Sequence, residues 1–159
     1  MLRLRGLSQA DLPEVLRVQR SAYRPELIEP SDAFARKMAL FPRGAIGCFD
    51  DDRLVAYMFC HPWTLGEVVP LGTGSLALPD MPSCLYVHDL AVEPQRRGYG
   101  LAGGLVDMAI ALARSLGLPC CALTAVQGSE GFWRSRGFEE RGGLEYRPGI
   151  AAVYMVRRL

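Results

Sequence analysis

Six residues, Gln95-Arg96-Arg97-Gly98-Tyr99-Gly100, place two glycines and two guanidinium groups in one turn. The chemistry such a turn can do is anion binding. Glycine permits positive φ and close backbone approach, so successive N–H groups can converge on a ligand at the start of a helix. Just upstream, His88 and Asp89 are adjacent titratable groups. An imidazole exchanges protons near neutral pH, and a carboxylate beside it ionises well below. Neither GxxxxGK[ST] nor GxGxxG occurs here, so two common phosphate-binding loops are excluded.

The flanking residues predict a strand before the turn and a helix after it. Leu85 to Val92 is apolar and ends at Glu93-Pro94, and Leu101 to Leu116 is apolar at helical spacing and closed by Gly117 and Pro119. Gly103 and Gly104 sit inside that helix at a cost of about 1 kcal/mol each against Ala, so close packing or ligand approach is expected there. Strand alternation puts Tyr86, His88, Leu90 and Val92 on one face and Leu85, Val87, Asp89 and Ala91 on the other, unless a bulge exchanges them. Glu93 is expected at the surface.

The rest of the chain reads in order. Met1 to Leu7 is a strand, and Ser8 caps a helix running to about Tyr23. After a loop between prolines, Ser31 or Asp32 caps a second helix to Leu40. Ala45–Phe49 and Leu54–Cys60 flank Asp50-Asp51-Asp52, an acidic hairpin turn of solvated charges. His61 to Pro82 is long and irregular, with Gly66, Gly72 and Gly74, and reads as a hairpin extension or lid with a short strand near Leu65 to Val69. Pro119 to Val126 is a buried strand, Ser129 to Arg136 a short helix, and Phe138–Leu144 with Ala151–Arg157 a closing antiparallel pair.

At 159 residues the chain is expected to form one domain over 1–159. A net charge of +1 argues against a nucleic-acid partner. No apolar run is long enough for a membrane span and no secretory leader is evident, so a cytoplasmic protein is expected. The five cysteines have no metal spacing and read as buried reduced thiols, with no metal site. Lys37 is the only lysine; arginine supplies every other basic group counted with it.

Gln95-x-x-Gly98-x-Gly100, following Leu90-Ala91-Val92-x-Pro94, resembles the acyl-CoA-binding motif of the GNAT superfamily of N-acyltransferases. Phe132-Trp133-Arg134-Ser135-Arg136-Gly137-Phe138 resembles that family's (L/F)-Y-x-x-x-G-F segment. The element order β-α-α-β-β-β-α-β-α-β-β is also that of the GNAT fold. The resemblance implies an α/β (α+β) protein whose mixed sheet, splayed in the middle, has roughly seven strands with about four helices.

It further implies acetyl-CoA as cofactor and a primary amine of a small molecule or peptide as acceptor, attacked directly. Backbone groups of Leu90, Ala91 and Val92 would hold the pantetheine arm. Gln95, Arg96, Arg97, Gly98, Tyr99 and Gly100, with Leu101, would hold the pyrophosphate. Gln127 would offer an amide to the arm, and His88 or Asp89 would be the base. Acceptor recognition would fall on Tyr23, Glu26, Glu29, Trp63, Tyr86 and Tyr146. Trp133 stands where the family has its acidic Tyr, so Tyr146 and Tyr154 are alternative proton donors. A non-catalytic acyl-CoA-binding module and a transferase of a longer acyl group, given room near Cys121 and Leu123, remain open, as does a homodimer.

Overall fold

The computed structural model describes residues 1–72 and 75–159. Seven strands form one sheet: β1 Leu2–Gly6, β2 Ala45–Asp50, β3 Arg53–Trp63, β4 Cys84–Val92, β5 Cys120–Ala125, β6 Glu139–Arg147 and β7 Ile150–Arg158, in the order β1-β2-β3-β4-β5-β7-β6. Four helices pack on it: α1 Leu12–Ala22, α2 Ser31–Leu40, α3 Leu101–Ser115 and α4 Glu130–Ser135. The fold is the mixed splayed sheet expected from the sequence. None of the described helices is long and apolar enough to cross a membrane.

The helices divide between the two faces of the sheet as their apolar stripes require. Leu105, Val106, Ala109, Ile110 and Ala113 of α3 meet Leu85, Val87 and Val92 of β4 in one core. Val15 and Val18 of α1, with Phe34 and Met38 of α2, meet Tyr57, Phe59 and Ala91 in the other. Each large apolar side chain fully removed from water contributes about 1.5–3 kcal/mol, so both layers hold β3 and β4 in place. Ser8 caps a 3-10 turn leading into α1: its N–H donates to Asp11 Oδ2 at 2.8 Å, and Arg5 bonds both Asp11 oxygens at 2.8 and 2.9 Å.

The alternation expected for β4 is interrupted. Asp89 pairs with Phe59 and Val87 with Cys60, which leaves His88 as an extra residue without a counterpart on β3. Leu85, Val87 and Val92 therefore share the α3 face, while Tyr86, Asp89 and Ala91 turn toward the α1 and α2 side. The bulge brings His88 and Asp89 to one side of the sheet instead of opposite sides.

β4 and β5 are parallel neighbours over only Leu85–Val87 and Cys121–Leu123. Beyond those residues they part, and the sheet opens into a cleft. The long segment after β3 forms no strand at 65–69; it lies over the sheet with Val69 and Leu76 buried against Cys84, Tyr86, Cys120 and Ala122. Gly74, counted in that segment, lies outside the described residues.

Glu93 is not a surface residue. It is 1% exposed and accepts from Arg17 Nη1 and, at 2.6 Å, from Arg53 Nη2. Its N–H donates to Val55 C=O at 2.9 Å. This joint ties α1 and β3 to the end of β4, where the chain turns toward Gly98. Arg17 keeps Glu14 and the Leu54 C=O when Glu93 is removed, so Glu93→Ala, which loses two charged hydrogen bonds, is expected to cost about 1.5–3 kcal/mol in urea unfolding. Arg53→Ala, at a side chain 53% exposed, is expected to cost well under 1 kcal/mol. Equal losses from the two would contradict this assignment.

Candidate functional site

A cavity of about 600 Å³ runs through the opening between β4 and β5. One end is built by backbone. Gly98 and Gly100 have φ of +86° and +80°, and a Cβ at either would meet nothing within 4 Å. Open space and left-handed conformation together explain the glycines: the first forms a bay and the second allows the turn around it. The first i→i−4 bond of α3 runs from Gly104 N–H to Gly100 C=O at 3.0 Å, so the amides before it face the bay as a helix N-terminus.

The charges around this bay differ from the sequence expectation. Arg96 lies between the cleft and Asp50, donating to Asp50 Oδ2 at 2.5 Å, so its charge is already engaged. Asp50 consequently belongs to a network instead of being a freely solvated hairpin charge. Arg97 is exposed and lines the cleft. Gln95 and Tyr99 are exposed and do not line it. Arg136, to which the sequence reading gave no role, does line it. Its guanidinium crosses α3 so closely that a Cβ on Gly103 would stand 2.0 Å from Nη2. That approach accounts for Gly103; Gly104 has open space beside it.

Along the middle of the cleft, the backbone of β4 is available on one edge. Glu93 N–H faces β3, and strand alternation puts the N–H and C=O of Ala91 on that same edge and those of Leu90 and Val92 on the open edge. Ala91 thus lines the cleft without offering its backbone to it. The Leu90 C=O accepts from Tyr23 Oη at 2.8 Å. Gln127, at φ +54°, accepts from Arg24 N–H at 2.8 Å and donates to Ala22 C=O at 3.2 Å. Its amide therefore spans from the end of β5 to the end of α1. Trp133 is 7% exposed and packs edge-on against Phe132 and Phe138, with centroids 5.0 and 5.3 Å away, and so forms a wall.

The far end holds the titratable groups. Tyr23, Glu29, His88, Asp89 and Tyr146 line it, together with Leu27 and Leu71. Glu29, expected as an acceptor contact, is 1% exposed. Its Oε1 is 2.9 Å from His88 Nε2, and its Oε2 accepts from Gly72 N–H at 2.8 Å and Lys37 Nζ at 3.2 Å. Burial alone would raise its pKa, but His88, Lys37 and the Gly72 amide outweigh that and hold it down at about 2. Asp89 is the opposite case. Burial and the nearby Glu29 push its carboxyl up, against the pull of the Tyr23 and Tyr57 hydroxyls and His88. Tyr57 Oη donates to Asp89 Oδ2 at 2.8 Å.

Of the other expected residues, all but Tyr146 lie behind or outside this end. Tyr86 is buried behind it, with Oη 2.6 Å from Thr124 Oγ1. Tyr146 donates to Val69 C=O at 3.0 Å. Trp63 does not line the cleft; its Nε1 donates to Glu67 C=O and its ring stands edge-on to His61. Glu26 is half exposed, paired with Arg24 and absent from the lining. Tyr154 accepts from Gly66 N–H at 2.8 Å, away from the cleft. His61, not singled out from sequence, is 2% exposed with its ring 6.3 Å from that of His88. Burial lowers its pKa to about 4. Among the described residues no cluster of three or more His, Cys, Asp or Glu could hold a metal ion, and all five cysteines are free and buried.

The model of the acetyltransferase (GNAT) family matches residues 12–138. No curated protein matches the chain. Among solved structures, the loading GNATL domain of CurA from Lyngbya majuscula superposes with a TM-score of 0.85 at 14% identity, covering 99% of this chain and 98% of that one. The ribosomal-protein-S18-alanine N-acetyltransferase from Escherichia coli gives 0.72 at 14% identity, covering 99% and 94%. The PaiA N-acetyltransferase from Thermoplasma acidophilum, in complex with coenzyme A, gives 0.70 at 14% identity, covering 100% and 99%. These likenesses are of fold.

Two outcomes test the geometry. Gly98→Val and Gly100→Val are each expected to abolish binding of CoA in calorimetry, since a branched side chain fills the bay and resists positive φ at about 1–2 kcal/mol. Both variants should still melt cooperatively, and Arg97→Ala should weaken binding less, most visibly at low salt. Undiminished CoA affinity in both valine variants would exclude the bay as the anion site. Separately, Asp89→Asn is expected to be neutral or stabilising at pH 7, because the native fold raises the carboxyl's pKa and so opposes its charged form. A loss of more than about 1 kcal/mol would show instead that the charge supports the fold.

Proposed function

The chain belongs to the acetyltransferase (GNAT) family, and from that membership we propose that it transfers an acetyl group from acetyl-CoA to a primary amine of a small molecule or peptide. One observation carries the reading: the gap between β4 and β5 joins an anion-binding turn at one end to a buried base cluster at the other. A long anionic cofactor with a reactive group at its far tip fits such a passage. CoA-bound members of the fold, such as PaiA, support the choice of cofactor.

The amides preceding Gly104, with Arg97 and Arg136, take the pyrophosphate. The open edge of Leu90 and Val92 takes the pantetheine amides. β4 and β5 close again at Val87 and Leu123, with Cys121 fully buried behind them. That closure limits the room beyond the thioester and favours acetyl over a longer chain.

An ammonium is not a nucleophile, so the acceptor must first lose a proton. His88 takes it. Its ring lines the acceptor end of the cleft with its side chain 0% exposed, so the ring must turn toward the cleft before it can receive the proton. The amine lone pair then attacks the thioester carbon, with the Leu90 N–H placed to polarise the carbonyl. The C–S bond breaks and its electron pair leaves on sulfur. The nitrogen sheds a second proton as the amide forms; one proton ends on the CoA thiol and the other in solvent. Trp133 has no titratable proton to give, and of the alternative donors only Tyr146 lines the cleft.

The reading is tested by incubating the protein with acetyl-CoA and a panel of amines and following free thiol. Acetylation of at least one amine above the uncatalysed rate is expected. His88→Ala should lower kcat/KM by about 10²-fold and remove the rising limb of its pH profile. Tight CoA binding without turnover across the panel would overturn the enzyme in favour of a binding module. An unchanged pH profile in His88→Ala would remove His88 as the base.

A further inference from the structure

Glu29 is separated from His88 by 59 positions, yet the two meet at 2.9 Å. Both side chains are enclosed, at 2% and 0% exposure, and Lys37 at 5% closes the other side of the carboxylate. An ionised carboxylate only accepts hydrogen bonds. Glu29 Oε2 accepts from Lys37 Nζ and Gly72 N–H, which keeps the carboxylate ionised, so the nitrogen of His88 facing Oε1, Nε2, must carry a hydrogen. The other ring nitrogen, Nδ1, is buried with no hydrogen-bond partner in the structure. With the hydrogen on Nε2, Nδ1 presents a lone pair.

We infer that Glu29 is the positioning residue of the acetyl transfer, fixing His88 with its hydrogen on Nε2 so that Nδ1 is the base, and that Lys37 moderates the pull of Glu29. The inference rests on the acetyltransferase reading above. It gives Glu29 a role other than acceptor contact: all of its polar capacity is directed at this chain's own groups. Lys37 has the reverse effect on the ring. Its Nζ stands 3.2 Å from Glu29 Oε2 and offsets part of the negative charge that faces the imidazole.

The groups that face the imidazole come from several elements. Glu29 precedes α2 and Lys37 lies within it, and Asp89 and Tyr86 flank the ring on β4. His61 approaches from β3, and Tyr146 of β6 lines the same end of the cleft. Of these, His61 is held neutral by burial, the tyrosines are pushed up, and the Asp89 carboxyl is pushed up by burial and Glu29; Glu29 and Lys37 are the two groups of opposite sign in direct ion-pair contact there.

The test exploits that opposition. Glu29→Gln removes the negative charge, so the rising limb of the kcat/KM profile should move to lower pH by about one unit or more. Lys37→Met removes the positive charge and should move the limb to higher pH. A structural role predicts no such opposed displacement. If Glu29→Gln fails to fold because Lys37 loses its partner, the double variant Glu29→Gln/Lys37→Met buries no unpaired charge and should show the lower-pH limb. Imidazole ¹⁵N spectra give a readout that needs no turnover, and the chain has only two histidines to assign. His88 should carry its hydrogen on Nε2, and His61, whose Nδ1 is 3.1 Å from Pro62 C=O, on Nδ1. Limbs that move the same way, or not at all, overturn the inference, as does His88 protonated on Nδ1. A protein that acetylates no amine but shows the Nε2–H form of His88 overturns the transfer reading alone. One that turns over with His88 protonated on Nδ1 overturns the positioning role alone.

Discussion

The bulge at His88 is the constraint on which the site depends. An uninterrupted β4 would send His88 and Asp89 to opposite faces, one of them into the layer beneath α3. The extra residue instead turns Asp89 toward Tyr57 and leaves His88 beside Glu29 on the same side. A bulge weakens a ladder, and this one is offset by burial on both sides. Phe59, opposite Asp89, packs against Phe34 at 5.0 Å and Tyr57 at 5.6 Å, while Val87 and Cys60 pack toward α3.

The second constraint is the short contact between β4 and β5. Parallel strands that part after a few residues leave backbone groups without partners, which is costly unless something accepts them. Tyr23 satisfies the Leu90 C=O, and the Gln127 amide ties the end of β5 to the end of α1. These bonds come from side chains and not from a neighbouring strand, so the opening can exist in a stable sheet. The joint of Glu93 with Arg17 and Arg53 fixes where β4 ends, and therefore where the glycine turn begins.

How much could be read from the chain follows from the distance over which each feature is decided. Gly98 and Gly100 were legible because their conformation is local: positive φ near a helix start favours glycine whatever lies beyond. The element order was legible for the same reason, through period and punctuation. Glu93 was misplaced because its partners, Arg17 and Arg53, lie 76 and 40 residues away. His88 was recognised by its chemistry and its place near the end of a strand, but the carboxylate beside it could not be inferred from Glu29 in a proline-flanked loop. Arg136 gave one faint signal, Gly103 in a helix interior, whose reason is a guanidinium that the sequence does not place there. Arg96 shows the converse: a residue in the right motif whose charge is taken by Asp50 across the sheet.

The buried ion pair of Lys37 also bears on how the chain meets its own chemistry. Lys37 is the single lysine among 159 residues, and it is enclosed against Glu29 and over the Phe34 ring. Every other long basic side chain is an arginine, whose guanidinium stays protonated and is a poor nucleophile. The surface consequently offers an activated acyl group no lysine amine to modify. Under the proposed acyl transfer, the protein is thereby spared acylation of its own lysine side chains, with its one candidate shut inside the fold.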